Sequence, residues 1–114
     1  MSGIVGTSHS KSKVVGRSLD TAKAWINFDT GTSIRNSFNV SSLTDNGEGN
    51  YDVNFITNMA TTDYCTVTTG YNYDVNCTAR DAQTSNVQVN CWHIGNTALY
   101  DMAYFKVAIF GDQI

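Results

Sequence analysis

The chain is predicted to be all-β: an antiparallel β-sandwich of about six to eight strands with an extended N-terminal arm. Short runs that alternate apolar and polar residues recur between clusters of Gly, Asn, Asp and Ser, and no stretch repeats at helical spacing. The C-terminal run, residues 98–110, is apolar on both faces. One face carries Leu99, Ala103, Phe105, Val107 and Ile109, the other Tyr100, Met102, Tyr104, Ala108 and Phe110. A strand of a half-solvated sheet would be polar on one side. This one is therefore expected either to lie between two layers of one protein or to meet another subunit with its second face, with Tyr100, Met102 and Tyr104 as the candidate subunit interface in the latter case.

The chain falls into two parts, an arm over residues 1–20 and a sandwich domain over 21–114. The arm is rich in Gly, Ser and Lys and is interrupted by the apolar pairs Ile4-Val5 and Val14-Val15. Its composition is that of a flexible segment, or of one that orders on a partner surface. Residues 22–28 alternate Ala24, Ile26 and Phe28 against Lys23, Trp25 and Asn27, and read as the first strand. Residues 29–32 turn. A second strand is expected over 34–43, with Ile34, Phe38 and Val40 on one face. Residues 44–50 hold Asp45, Asn46, Gly47 and Gly49, which adopt positive φ at low cost and reverse the chain. Tyr51, Val53 and Phe55 then return inward and complete a hairpin. Residues 64–69 read as a strand with Cys65 and Val67 on its apolar face, and 70–82 as an irregular excursion. Residues 87–94 alternate again before a turn at Gly95.

With 114 residues, the chain has room for one domain and a modest core. Charged residues make up 15% of it and the net charge is −3, against about 25% charged in typical soluble proteins. A surface of hydroxyls and amides suits close-packed assembly and argues against nucleic acid as the partner. No apolar run near Met1 is long enough for a secretory signal or a membrane span, so synthesis in a cytoplasm and no membrane insertion are expected. Cys65, Cys77 and Cys91 fit neither a zinc site nor a CxxC motif, and read as small hydrophobes in or beside strands.

Catalytic signals are sparse. His9 and His93 stand apart, and neither a nucleophile elbow nor an HExxH motif is present. Residues 45–50 are oxygen-rich but lack calcium-loop spacing. No catalytic residue, metal or cofactor is therefore expected, and the protein is not expected to be an enzyme. The aromatic and amide residues around 64–86 are more telling. Rings offer stacking faces, and amides and carboxylates bind hydroxyls, as in a shallow site for a sugar or a protein epitope. Tyr64, Tyr71, Tyr73, Asp74 and Asn76 are the candidate receptor-facing residues; packing against the core or a neighbouring subunit is the plainer alternative.

Residues 22–28, Ile34-Arg35, the run Ser37–Ser42, Thr44–Gly47 and Gly49–Phe55 together resemble a known domain. It is the small β-domain at the C-terminal ends of tail-fibre-like proteins of tailed bacteriophages, especially phages of cyanobacteria and marine bacteria. The closing residues 107–113 and the lead-in around Gly3–Gly6 and Ser10–Gly16 are similar as well. The resemblance implies a virion structural protein, a homotrimer with no catalytic residues; other virion proteins are its expected partners, and a host cell-surface glycan or protein is the further partner that a receptor-binding role would add. Ile4, Val5, Val14 and Val15 would be the virion anchor. The leading expectation is a tail-fibre or receptor-binding module, with a head decoration (cement) protein as the alternative and a free lectin-like protein as a third reading.

Overall fold

The computed structural model describes residues 19, 21–29, 31–71, 75–95, 98–99, 101 and 103–114. Among these, eight strands form two four-stranded antiparallel sheets, stacked as a β-sandwich. In chain order they are β1 (Ala22–Asp29), β2 (Ile34–Phe38), β3 (Val40–Asp45), β4 (Asn50–Phe55), β5 (Cys65–Gly70), β6 (Val75–Arg80), β7 (Asn86–His93) and β8 (Tyr104–Phe110). The first sheet has the order β2-β1-β8-β5 and the second β3-β4-β7-β6. Of the arm, only Leu19 is described, so the candidate anchor residues Ile4, Val5, Val14 and Val15 lie outside the described residues.

The strand period sets what is inside. Ala24, Ile26 and Phe28 of β1 pair with Ile109, Val107 and Phe105 of β8, and all six side chains are buried. Opposite them, Tyr51 and Val53 of β4 pair with Val89 and Val87 of β7. Val40, Phe55, Met59 and Cys91 complete the core. Three rings fasten the sheets together. Phe28 stacks on Phe105 at 5.2 Å, and Tyr51 meets Phe28 edge-on at 5.2 Å and Phe105 at 6.4 Å. Such ring contacts add about 0.5–1.5 kcal/mol each to the area they bury.

The expected second strand is divided in two. Asn39 takes φ 57°, a left-handed conformation that Asn tolerates better than most residues. Its Nδ2 donates to the Lys23 and Thr57 carbonyls at 3.1 and 3.0 Å, and its Oδ1 accepts from the Thr57 amide at 2.7 Å. The chain bends there, leaving β2 in the first sheet and starting β3 in the second. Phe38 consequently lies on the outer surface beside Trp25 while Val40 enters the core. The hairpin expected around residues 44–50 joins β3 to β4, with Gly47 and Gly49 at positive φ and the Gly47 amide donating to Asp45 Oδ1 at 2.9 Å.

Three further expectations change. Cys65 and Val67 face outward, because Val67 pairs with Ala108 on the far side of the sheet from the core. The inward residues of β5 are Thr66 and Thr68, and the Thr68 hydroxyl donates to the Cys77 carbonyl at 3.0 Å. The stretch read as irregular contains β6, paired along its length with β7. The last strand begins at Tyr104 rather than near residue 98. Ahead of it, Leu99 bridges to Trp92, and the Asp101 carboxylate accepts from Gly49 N at 2.7 Å and from the Tyr51 hydroxyl at 2.6 Å.

Register sorts the loops to two ends. Ala22, Phe110 and Cys65 align at the entry end of the first sheet, where the chain arrives. Asp29 and Tyr104 align at the far end, and Tyr71 N donates to the Tyr104 carbonyl there. Asp101 ties the Gly49 hairpin and Tyr51 to that same far end. At the entry end Gly111 is tightly enclosed: a Cβ would lie 2.7 Å from Tyr64 Cβ.

Replacing Phe28 with Ala removes the ring that both sheets share and should lower the unfolding free energy by about 3–5 kcal/mol. Urea denaturation of the variant checks this, and a loss near zero would mean that the cluster does not hold the sheets.

Candidate functional site

The outer faces of the two sheets differ in chemistry. On the first sheet, the register sets Phe38, Trp25, Ala108 and Val67 side by side in one row across all four strands. Phe38 is 52% exposed, Val67 54% and Trp25 36%. Beside the row is a shallow depression of about 230 Å³ against Trp25, Asn27, Val67, Thr69, Lys106 and Ala108. Within this face, Asn27 Oδ1 is buried and has no hydrogen-bond partner. An apolar row spanning a whole sheet is unlike the scattered single hydrophobes that normal surfaces show.

At the far end the same face turns aromatic and cationic. Tyr71 lies 5.8 Å from Tyr104, and the Arg35 guanidinium sits over the Tyr104 ring at 4.3 Å. Arg35 reaches it because the β1–β2 register slips beside Phe28, leaving Arg35 as the extra residue of a bulge. Tyr104, the described member of the predicted subunit interface, thus touches Tyr71, a predicted receptor-facing residue. Tyr100 and Met102 lie outside the described residues.

The second sheet shows a hydroxyl and amide surface: Ser42, Thr44, Asp52, Asn54, Gln88 and Thr78 share it by register. Asn54 Nδ2 donates to Ser42 Oγ at 3.1 Å and Thr44 Oγ1 at 3.0 Å, so part of this surface is internally cross-braced. Its aromatic feature is Trp92, opposite Asn76, in a depression of about 340 Å³ with Thr78, His93 and Ile94. The Gly95 amide donates to His93 Nδ1 at 3.2 Å.

The predicted receptor-facing residues do not share one site. Tyr71 and Asn76 lie at the far end, one on each sheet, while Tyr73 and Asp74 lie outside the described residues. Tyr64 is at the entry end. Its ring packs edge-on against Phe55 at 6.0 Å, and its hydroxyl lies 2.7 Å from the Gln83 carbonyl and 2.9 Å from that of Asn86. Its polar atom is therefore used within the fold. Sequence reading did not single out Phe38, Trp25 and Val67. The available signal was that β1 carries Trp25 on the face opposite its core residues.

Titration follows burial at two tyrosines. Burial pushes the Tyr64 phenol up to about 12, against a lowering by its backbone hydrogen bond to Gln83. Burial, then the Asp101 hydrogen bond and charge, push Tyr51 well above the ordinary phenol range. Among the described residues no cluster of His, Cys, Asp and Glu has the makings of a metal site, and no helix is long and apolar enough to cross a membrane. No family model, curated protein or solved structure matches the chain.

Both raised phenols hold their protons more tightly when folded than when unfolded. Their contribution to stability is therefore complete below about pH 10 and is lost as pH rises through the folded values. The urea midpoint should fall between about pH 10 and 12, and Tyr64→Phe should make that fall shallower. A midpoint that stays level to pH 12 would contradict the assignment.

Proposed function

We propose that the protein is a non-enzymatic structural module of a tailed-phage virion: a tail-fibre or receptor-binding module, homotrimeric, and attached to other virion proteins by the arm over residues 1–20. The observation that carries this reading is the apolar row Phe38-Trp25-Ala108-Val67 on a sheet face that the sandwich itself leaves uncovered. Covering it with further copies of the chain would remove its large side chains from water, a gain of about 1–2 kcal/mol for each half-exposed one. The low charge content suits such a contact, since few charges need to be desolvated.

The sorting of loops supports the receptor-binding part. The chain arrives beside Phe110 and Cys65, so an anchor attached there leaves the opposite end free. That far end carries Tyr71, Tyr104, Arg35, Asn76 and Trp92, a set of rings with amide and guanidinium donors. Rings stack on the apolar face of a sugar or on a protein side chain, and the donors take up hydroxyls and carbonyls. In this reading Tyr71, the most exposed of these rings at 68%, is the principal receptor contact. The resemblance of residues 22–55 to phage fibre tips supplies the class of particle.

Phage carrying Tyr71→Ala should adsorb to host cells at least about tenfold more slowly, with unchanged particle yield and head stability. Normal adsorption with fragile heads would replace the tail reading by capsid decoration.

A further inference from the structure

Cys77 and Cys91, far apart in sequence, are direct cross-strand partners in the β6–β7 ladder. The kind of pair matters. The Cys91 amide donates to the Gly49 carbonyl at 2.9 Å, on the β4 side. In an antiparallel strand the N–H and C=O of one residue point the same way, so Cys91 directs neither group at Cys77. The two cysteines are thus a non-hydrogen-bonded pair, in which Cα atoms lie about 4.5 Å apart and side chains come closest. That spacing is within the range of disulfides, whose Cα atoms are about 4.4–6.8 Å apart. Both side chains belong to the inward face, Cys91 fully buried and Cys77 half-buried on the edge strand, and their thiols are hydrogen-bonded to each other. Cys65 is exposed on the outer face of the other sheet and takes no part.

We propose that Cys77 and Cys91 are an oxidative modification site, a cross-strand dithiol that closes to a disulfide when the protein meets a small-molecule disulfide of the glutathione class. The half-buried Cys77, as thiolate, attacks the oxidant and releases one reduced glutathione, leaving a mixed disulfide. The Cys91 thiolate then attacks Cys77 Sγ and displaces the second. One glutathione disulfide is reduced to two thiols, one protein disulfide forms, and the two cysteine protons pass to the departing thiolates. Burial raises both thiols above their ordinary range, Cys91 to about 12, so closure is slow at neutral pH and accelerates with alkalinity. The disulfide fixes the β6–β7 hairpin, whose β6 begins just beyond Tyr71–Asp74. It restrains the far end when the protein leaves a reducing compartment.

The test uses the full chain carrying Cys65→Ser, which leaves only the pair. After incubation with glutathione disulfide near pH 8.5, denaturation and maleimide blocking, intact mass should be about 2 Da below that of the reduced chain, with no maleimide added. The melting temperature should rise by on the order of 10 °C. In the same background Cys91→Ser should stop at a stable glutathione adduct on Cys77. Should that variant not fold, the natural chain serves: after oxidation it should carry one cap only, a glutathione or a maleimide on the exposed Cys65, and after reduction three maleimides. Two maleimides on the oxidised Cys65→Ser chain, or a stable glutathione adduct on it, would overturn the proposal.

Discussion

The stacking of Phe28 on Phe105, with Tyr51 set edge-on against both, is the contact on which the sandwich depends. Phe28 and Phe105 belong to the two central strands of one sheet, and Tyr51 to a central strand of the other. The cluster is therefore both the filling of the core and the link between layers. The Tyr51 hydroxyl extends that link to the surface: it donates to Asp101, which also accepts the Gly49 amide. One carboxylate thereby satisfies a buried phenol and a hairpin amide, and holds the chain ahead of β8 against the β3–β4 turn. Charge pairs contribute little by comparison; the Arg80–Asp81 contact at 3.6 Å is well exposed.

With the layers fixed, the outer surfaces are left to differ. The second sheet wears amides and hydroxyls, several bonded to one another, and suits water. The first wears an apolar row across all four of its strands. This asymmetry is the physical basis for reading the protein as one part of an assembly. The arrangement of ends adds direction, since Ala22 at the start of β1 and Phe110 at the end of β8 are cross-strand partners. Tyr71 and Tyr104 lie together at the opposite end of that sheet.

Much of the fold was legible in local pattern. Ala24/Ile26/Phe28, Tyr51/Val53/Phe55 and Val87/Val89/Cys91 alternate strongly, and each trio is buried as the period requires. What local pattern misses is decided at long range. Asn39 divides one apparent strand because partners in β1 and at Thr57 reward its left-handed turn. Val67 looks inward by hydrophobicity but joins an outward apolar row, a choice set by its pairing with Ala108. β6 is weakly apolar, with only Val75 and Cys77 packed against the core, and becomes a strand because β7 templates it. Composition alone points to the candidate receptor residues, and composition does not place them in space. The fold separates Tyr64, which braces the core, from Tyr71 and Asn76 at the far end, and it brings Tyr71 onto Tyr104 across the boundary between two expected sites.

The measurement that bears most directly on this account is the solution mass of the natural full chain and of Trp25→Lys, by light scattering after size exclusion. Trp25 stands in the middle of the apolar row and outside the core, so its replacement tests that face without removing what holds the sheets. The account predicts a natural protein of three times the 12.5 kDa chain mass and a folded, monomeric variant. A natural chain that is monomeric at tens of micromolar, or a variant that remains trimeric, would contradict it.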